Sequence, residues 1–546
     1  MRRSPPIVWS IAGLDSAGGA GLSADQRAAD AMGVHLCPIT ASLTAQHSQG
    51  VEAVFPVAAA QLQAQLQALS EDMPPRAIKT GLLGSVAAIV LVAQWVDHWR
   101  ACTPAGQDPH RQLALVVDPV FAASAGGADF CDVAMVAAYR QWLVPRATVI
   151  TPNRAEARRL LGRKPRHDKE DEIPALANAL IEMGARSVVI TGGDAPPSTG
   201  PAGPHCVDWL HTPHAQGWLT APRLTTPHTH GSGCTFASAM AAALACQHVE
   251  ADAAVLARMV THHALANARK AGHGRGPVLA QRGWAGTPGA PGAPLPWLGI
   301  GSRWPWRLTQ SPTHAQPFQP FTPPTDGLYG IVSTADQLEA ALKLGLRCIQ
   351  LRHKPVATLA EHLIRSQQAA REHGALLFVN DHWESALAGA TPPHNGLHLG
   401  QEDLLSLTPQ QQDRLLAAAP NLVLGLSSHS LWELARAAGC GASLVACGPI
   451  KPTSTKDMPW RPQGTHNLLW WVQHSPSPVV AIGGLLTPAD VAEAAQCGPA
   501  AVCVVRGLGT DAEEMAELIP PLQAAIQQAR QKAPAPAPDC PHAVLP

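Results

Sequence analysis

The sequence predicts two α/β domains in series: a three-layer α/β/α domain built on a mostly parallel sheet, then a (β/α)8 TIM barrel. Three observations predict this. Within residues 5–280, short apolar runs end in polar or glycine residues and alternate with helical stretches, as strands buried on both faces do. Within residues 325–532, the same unit recurs eight times in roughly 200 residues, the size of a compact barrel. Between them, residues 281–324 lose all periodicity and are rich in Pro, Gly and Trp, the composition of a linker.

A chain of 546 residues is too long for one core. It is 46% hydrophobic and 14% charged, with a formal net charge of -1. That charge gives no support to nucleic-acid or membrane partners. The 12 cysteines are scattered through apolar segments such as Arg347-Cys348-Ile349, without C-x-x-C pairs. Thiols placed so fit a reducing compartment, and a cytoplasmic enzyme is expected. Behind Met1-Arg2-Arg3 the apolar run reaches only from Ile7 to Ala12, too short for a signal peptide. The 25 histidines show no paired metal spacing. Oligomeric state is left open, a homo-oligomer included.

The first strand is Ile7 to Ala12, breaking into the loop Gly13 to Gly21, with a helix from Ala24 to Met32. A strand ends at Ala77-Ile78-Lys79-Thr80-Gly81, and a helix is expected over Ser85 to Trp99. Leu113 to Val117 is a continuous apolar strand ending in Asp118-Pro119. Ala147 to Ile150 leads into Thr151-Pro152-Asn153 and Glu156, and Ser187 to Thr191 leads into Gly192-Gly193. Ligands in such sheets sit at the carboxyl ends of strands, where Asp118, Asn153, Glu156 and Gly192 fall. Asp118 before Pro also suits a turn, and Asn153 with Glu156 also suits a helix cap.

The element that organises this domain is Thr229-His230-Gly231-Ser232-Gly233-Cys234, running into an Ala-rich helix. Glycines let the backbone approach a ligand closely, and the first helical amides lack intrahelical partners. Such a place binds anions, phosphate above all. Beside it, the Cys234 thiol is expected to acidify and to be partly thiolate near neutral pH.

In order and content these pieces resemble the ribokinase-like hydroxymethylpyrimidine and phosphomethylpyrimidine kinases. The matching residues are Gly13-x-Asp15-x-x-Gly18-Gly19-Ala20-Gly21 with Asp25, Thr44-Ala45-Gln46, Lys79-Thr80-Gly81, Asp118-Pro119-Val120, Thr151-Pro152-Asn153-x-x-Glu156, the Gly231 to Cys234 loop, and Gly272-His273-Gly274-x-Gly276-Pro277. The resemblance implies that ATP is the phosphoryl donor and that Gln46 hydrogen-bonds the pyrimidine. Cys234 would be the base toward the hydroxymethyl group, and the amides of Gly231, Ser232, Gly233 and Cys234 would hold transition-state charge. Asn153 and Glu156 would order Mg²⁺ through water, with Gly192 at the nucleotide. Two departures stand out: Thr191 replaces a frequent Lys, and Ser16-Ala17 replaces a commoner Pro-Ser.

In the linker, Trp297, Trp304, Trp306, Phe318 and Phe321 lie among prolines. So many aromatics predict that Trp297 to Arg307 docks on one domain while the Gly/Pro part, Gly286 to Pro294, stays mobile.

Eight strands are then expected at Leu328–Val332, Cys348–Leu351, Leu376–Val379, Gly396–Leu399, Val423–Leu426, Leu444–Cys447, Val479–Ile482 and Ala501–Val505. Polar residues follow them: Gln350-Leu351-Arg352-His353-Lys354, Asn380-Asp381, Gln401-Glu402-Asp403, Ser427-Ser428-His429, Lys451 to Lys456, Gly483-Gly484 and Arg506-Gly507. Cations, carboxylates and a glycine loop on one rim describe a Mg-diphosphate site.

This half resembles thiamine-phosphate synthase through Gln350-Leu351-Arg352-x-Lys354, Phe378-Val379-Asn380-Asp381, His398 to Asp403, Leu424 to Ser427, Pro452-Thr453-x-Thr455-Lys456, Pro462-Gln463-Gly464 and Ala481 to Gly484. The resemblance implies that Asp381 and Asp403 bind Mg²⁺ and that Arg352, Lys354, Asn380 and Lys456 hold the diphosphate. Thr453, Ser454, Thr455 and Gly484 would hold the thiazole phosphate, with Ser427 near the reacting pyrimidine. Where the family commonly carries Ser after the eighth strand, this chain has Val505-Arg506; a retained phosphate contact is expected. The tail, residues 533–546, is Pro/Ala-rich and expected to be disordered.

Together the resemblances imply phosphorylation of hydroxymethylpyrimidine and of its monophosphate, then condensation of the diphosphate with thiazole phosphate. Two rivals are a pyridoxal-type kinase, and a chain in which one half is a non-catalytic binding or regulatory module.

Overall fold

In a computed structural model, the described residues are 4–102, 112–122, 130–164, 172–194, 204–286, 292–309, 317–388, 395–453 and 459–545. They form two compact units, Met1–Trp304 and Pro305–Leu545.

The first unit is built on one ten-stranded sheet. Its strands are β1 (Ile7–Asp15), β2 (His35–His47), β3 (Gly50–Pro56), β4 (Ala77–Thr80), β5 (Ala114–Val117), β6 (Val149–Ile150), β7 (Val188–Ile190), β8 (His205–His211), β9 (Gln216–Pro222) and β10 (Trp297–Leu298). The order is β10-β9-β8-β7-β6-β5-β4-β1-β2-β3. The six strands from β7 to β2 run parallel, and β3, β8, β9 and β10 are joined antiparallel. The chain leaves β1 for β2 on one side and later adds β4 on the other, so the strand order reverses at β1. Ligands bind in the crevice beside such a switch point. Strand residues Trp9, Ile11, Ile78, Leu115, Val117, Ile150 and Val188 are buried, with helices supplying Leu62, Ile89, Val92 and Leu176 to the same core. The helix Val86–Ala101 starts where the sequence places it, capped by the Ser85 hydroxyl accepting from the Ala88 amide at 3.2 Å.

The second unit is a closed barrel of eight parallel strands. They are β11 (Leu328–Val332), β12 (Cys348–Leu351), β13 (Leu376–Asn380), β14 (Asn395–Leu399), β15 (Val423–Ser428), β16 (Leu444–Cys447), β17 (Val479–Ile482) and β18 (Ala501–Val504). These fall within two residues of the sequence expectation at each end. Closure runs through Leu328 opposite Val502 and Gly330 opposite Val504. Tyr329, Cys348, Phe378, Val480 and Cys503 fill the interior, so the barrel is a packed core and not a pore. All twelve cysteines of the chain are free thiols. Among the described residues no helix is long and apolar enough to cross a membrane.

Two expectations are corrected. The aromatic segment docks on two units, not one. Trp297 and Leu298 extend the first sheet against Thr220 and Leu219, and Trp304 stacks on Trp218 at 4.7 Å. Trp306, Phe318 and Phe321 are buried and belong to the second unit. Each ring goes where it loses water contact, which a linker average conceals. Of the Gly/Pro part, residues 287–291 lie outside the described residues. The tail is also held. His542 donates its amide to Asn467 Oδ1 at 2.8 Å, Arg461 donates its amide to Val544 O at 2.7 Å, and Ala543, Val544 and Leu545 are buried. Its apolar last residues anchor it despite the prolines before them.

Trypsin therefore cuts after Arg303 and Arg307 at least about tenfold more slowly than in the urea-unfolded chain, since each cut needs local opening. Equal rates would contradict the docking.

Candidate active sites

In the first unit a cavity of about 490 Å³ opens at the carboxyl ends of the strands. It gathers Gln46, Asn153, Glu156 and Gly231 to Cys234, as the sequence suggests, together with Asp15, Lys79, Asp118, Arg159, His230 and Arg275.

The loop after β1 is organised by the Asp15 carboxylate. It accepts the amides of Ala17 and Gly19, both at 2.9 Å, and of Ala20 at 2.8 Å. His230 Nε2 lies 3.0 Å from Asp15 Oδ2 and 3.2 Å from Gln46 Nε2. Burial raises the Asp15 pKa, but His230 and the amides of Ala20 and Ala17 outweigh it, leaving the carboxyl below its ordinary value. His230 thus stands between Gln46 and the first loop. The two loops touch so closely that a Cβ on Gly19 would lie 2.1 Å from the His230 ring, and one on Gly231 would lie 2.2 Å from Gly19 O. Gly231 also has φ 85°, which favours glycine. It begins the helix Ser232–Ala245 without a side-chain cap; the Ser232 amide turns back to Thr229 O at 3.2 Å, and the amides of Gly233 and Cys234 remain for a ligand.

Beneath this loop sits a buried charge cluster. Lys79 Nζ donates to both oxygens of Asp25 at 3.0 and 3.1 Å and lies 3.7 Å from Asp118. The hydroxyls of Ser10 and Ser238 donate to Asp25 at 2.6 and 2.7 Å. Burial alone would discharge Lys79, but Asp25, Cys234 and Asp118 outweigh it and raise its pKa, so it stays an ammonium.

Cys234 departs from the sequence expectation. Its thiol is pushed up to about 12, first by burial. Lys79 and the Gly21 amide pull it down, while Asp25 and Asp118 push it further up. A helix start acidifies a thiol only where the thiolate stays solvated or faces cations; here the half-buried thiol loses part of its water and faces Asp25 and Asp118. Asp118 is likewise pushed up to about 6 by burial, with Lys79 opposing.

Asn153 and Glu156 form a reciprocal cap on the helix Arg154–Leu160: Asn153 Oδ1 accepts the Glu156 amide at 2.9 Å, and Glu156 Oε2 accepts the Asn153 amide at 2.8 Å. Burial and then Asp118 raise the Glu156 pKa well above its ordinary value. Asp118 Oδ2 is buried without a hydrogen-bond partner. An orphaned carboxylate oxygen facing a second carboxyl fits a divalent cation. Among the described residues no three His, Cys, Asp or Glu side chains converge, so such an ion would keep water or phosphate ligands.

Gly192 is corrected: it lines neither this cavity nor the next. Its amide donates to Asp208 at 2.9 Å, and a Cβ there would lie 2.0 Å from Val207 O. It lets β7 end against β8, while Thr191 and Asp194 face the cavity. A neighbouring cavity of about 750 Å³, lined by Thr226, Phe236, His262 and Leu265 among others, shares Ser232, Gly233 and Arg275 with the first.

In the barrel, a cavity of about 340 Å³ lies at the carboxyl ends of the strands. Gln350, Arg352, Lys354, Asn380, Asp381, Asp403, Ser427, Thr453, Gly484, Val505 and Arg506 all line it. Ser454, Thr455 and Lys456 lie outside the described residues. Leu351 and His353 do not line it. Alternation along β12 sends Cys348 and Gln350 inward and turns Leu351 outward, where it is buried. His353 instead lies 2.7 Å from Ser333 O and 2.7 Å from Thr358 Oγ1, as a loop brace.

Asp381 and Asp403 face each other. Burial and then Asp403 raise the Asp381 pKa, against Lys354, whose Nζ is 3.6 Å away, and Arg352. Asp381 also holds a left-handed φ of 63°, unusual for a non-glycine residue. Two carboxylates pressed together with a strained backbone fit a divalent cation between them. Gln350 Nε2 donates to Asn380 Oδ1 at 2.7 Å. His398, absent from the sequence-derived site, lies 2.9 Å from Ser427 Oγ, and burial followed by Arg352 lowers it to about 4, so it is neutral. Gly484, with φ 72°, lets the loop after β17 pack on Lys451 O, 2.5 Å from where a Cβ would stand.

The family model for phosphomethylpyrimidine kinase matches residues 15–279, and that for thiamine monophosphate synthase matches residues 325–508. The chain is 30% identical over 495 residues, 88% of its length, to the chloroplastic thiamine biosynthetic bifunctional enzyme TH1 of Arabidopsis thaliana, covering 85% of that protein. Its first half is 38% identical to the hydroxymethylpyrimidine/phosphomethylpyrimidine kinase of Synechococcus elongatus over 276 residues, 50% of this chain and 96% of that one. It is 35% identical over 280 residues to the thiamine biosynthesis bifunctional protein ThiED of Geobacter sulfurreducens, 51% of this chain and 53% of that one.

Asp118 gives a pH test with a definite sign. Its folded pKa is raised from 3.8 to about 6, so its contribution to stability is full below about 4 and is lost as pH rises through 6. Relative to Asp118→Asn, the ligand-free protein loses on the order of 3 kcal/mol across that window. Parallel melting curves for the two proteins from pH 4 to 7 would contradict the shift.

Proposed function

The chain belongs to the bifunctional thiamine biosynthetic enzymes, in which a hydroxymethylpyrimidine and phosphomethylpyrimidine kinase is fused to a thiamine-phosphate synthase, and from that premise we propose how its residues carry the two reactions. The observation that carries the assignment of the second site is the pairing of Asp381 and Asp403 beside Arg352 and Lys354 on one barrel rim.

In the kinase half, Gln46 orients the pyrimidine and His230 holds Gln46 in place from Asp15. The amides of the Gly231 to Cys234 loop, Gly233 and Cys234 above all, hold the γ-phosphoryl group of ATP while the hydroxymethyl oxygen bonds to its phosphorus and ADP leaves with the electron pair of the broken bond; the neighbouring cavity takes the rest of the nucleotide. Asp118, Glu156 and Asn153 would hold Mg²⁺, which would supply positive charge to neutralise the phosphates. Cys234 faces the hydroxymethyl group as its base. With the thiol pushed up to about 12, Cys234 holds its proton at pH 7 in the ligand-free site. The base form therefore has to be generated in the loaded site, with Lys79 as the fixed cation that favours it. Loose phosphoryl transfer needs mostly positioning and charge stabilisation, so a weakly populated base is tolerable.

In the synthase half, Arg352, Lys354, Asn380 and Lys456 hold the diphosphate of the pyrimidine, and Asp381 and Asp403 hold Mg²⁺. The metal, when bound, supplies charge for the leaving diphosphate. Ser427, positioned by neutral His398, lies at the pyrimidine. The bond from the ring methylene to the diphosphate oxygen breaks, the electron pair leaves with the diphosphate, and the thiazole nitrogen supplies the pair for the new bond. Thr453, Ser454, Thr455, Gly484 and Arg506 hold the thiazole phosphate. Twelve free thiols support a reducing compartment.

The purified chain, given hydroxymethylpyrimidine, thiazole phosphate, ATP and Mg²⁺, makes thiamine phosphate. Asp381→Ala cuts that product at least about 10²-fold while pyrimidine diphosphate accumulates. Cys234→Ala lowers pyrimidine phosphorylation by about 10²-fold or more, yet leaves condensation of supplied pyrimidine diphosphate intact. Unchanged thiamine phosphate output in both variants would sink the assignments. Arg506→Ser raises the KM for thiazole phosphate roughly tenfold with kcat little changed, through loss of a charged contact; a lowered KM would make Arg506 an obstruction.

A further inference from the structure

The kinase unit carries another cavity, of about 480 Å³, at the opposite ends of its strands from the reactive loops. Arg76, Arg100, Arg146 and Arg186 line it, and Glu250 is the one carboxylate among its described lining residues. The fold explains the convergence. Arg76 directly precedes β4, and Arg186 lies two residues before β7. Arg100 ends the helix Val86–Ala101, Arg146 leads toward β6, and Glu250 starts the helix Glu250–Ala266. Parallel strands start together on one side of the sheet, so the residues before them share one face.

The charges there are only partly balanced. Arg146 donates to Asp97 at 2.8 and 2.7 Å, and Arg186 lies 2.8 Å from Glu250. Arg100 donates only to neutral acceptors, Leu113 O and Thr148 Oγ1, each at 3.3 Å. Arg76 is exposed; its backbone pairs with Ile7 and Ala114, and its guanidinium makes no hydrogen bond or ion pair among the described residues. Burial lowers the Arg100 pKa, and Arg146 and Arg186 lower it further against Asp97, so the cations press on one another. In a chain of net charge -1, that concentration of guanidinium is local and not a general basicity.

We propose that this cavity is a binding site for a diphosphate-bearing anion, separate from both reactive sites. Planar guanidinium forks match phosphate oxygens two at a time. A diphosphate group reaches two cations at once, and here Arg76 and Arg100 pair with no carboxylate among the described residues. The cavity is larger than a bare diphosphate, with room for an organic part on the same group. The synthase half releases inorganic diphosphate, so the group is produced by the chain itself.

Hydrogen exchange on the full chain, read peptide by peptide without Mg²⁺, tests this with two probes: inorganic diphosphate and benzyl diphosphate. Exchange is expected to slow several-fold in peptides covering residues 145–149 and 244–250, and the slowing is expected to disappear in Arg76→Glu. The Arg76 side chain makes no bond to lose among the described residues, so the variant's melting temperature should match the parent; Arg76→Gln serves if it does not. Slowing by both probes means that the diphosphate group suffices, and slowing by the ester alone means that the organic part is also read; both uphold the site. No slowing with either probe, or slowing that survives loss of the Arg76 charge, overturns it.

Discussion

Parallel strands buried on both faces can present reactive side chains only where they end, and both units of this chain are built under that constraint. In the first, β1, β4, β5 and β6 deliver Asp15, Lys79, Asp118 and Asn153 to one crevice. In the second, β12 to β14 deliver Arg352, Asp381 and Asp403 to one rim. The sheet is rigid because its interior is packed, so the positions of these groups are set by strand register more than by loop conformation.

Burial then decides what each group can do. Lys79 is fully buried, and its charge persists because Asp25 is pinned by Ser10 and Ser238 while Asp118 stands nearby. One cation shared among two carboxylates and a thiol leaves the cluster short of positive charge. Asp118 and Cys234 answer by holding protons. Removing one member of such a cluster costs more than the pair is worth, because it strands a charge away from water. A divalent cation and nucleotide phosphates entering the site would change this balance, which links the proton on Cys234 to the loading of the kinase half.

The barrel solves a related problem differently. Asp381 and Asp403 repel each other at a place where the backbone of Asp381 is also strained. Lys354 and Arg352 relieve part of that repulsion, and in the proposed reaction they are the charges that would meet the departing diphosphate. His398 is neutral under these conditions, so beside Ser427 it acts through hydrogen bonding without adding charge to the pocket.

Much of this was legible in the sequence. Apolar runs with polar ends located five of the six parallel strands of the sheet, missing β2, and all eight barrel strands, because a strand covered on both faces must be apolar along its length. The Gly231 to Cys234 loop, the Asn153–Glu156 pair and the barrel-rim cations were readable because their spacing is local. What the sequence could not supply depends on contacts between distant residues. His230 meets Asp15 across 215 positions, and that pairing fixes Gln46. The local rule for a helix start made Cys234 acidic, whereas the carboxylates and burial around it raise its pKa. Strand alternation and loop bracing removed Leu351 and His353 from the site, and contact with Val207 gave Gly192 a packing role. Composition made residues 533–546 look unstructured, yet Asn467 and Arg461 hold the end of the chain. Pattern along the chain determines which residues become strands and ends; which of them lose water, and which charges they then face, is decided only when the strands assemble.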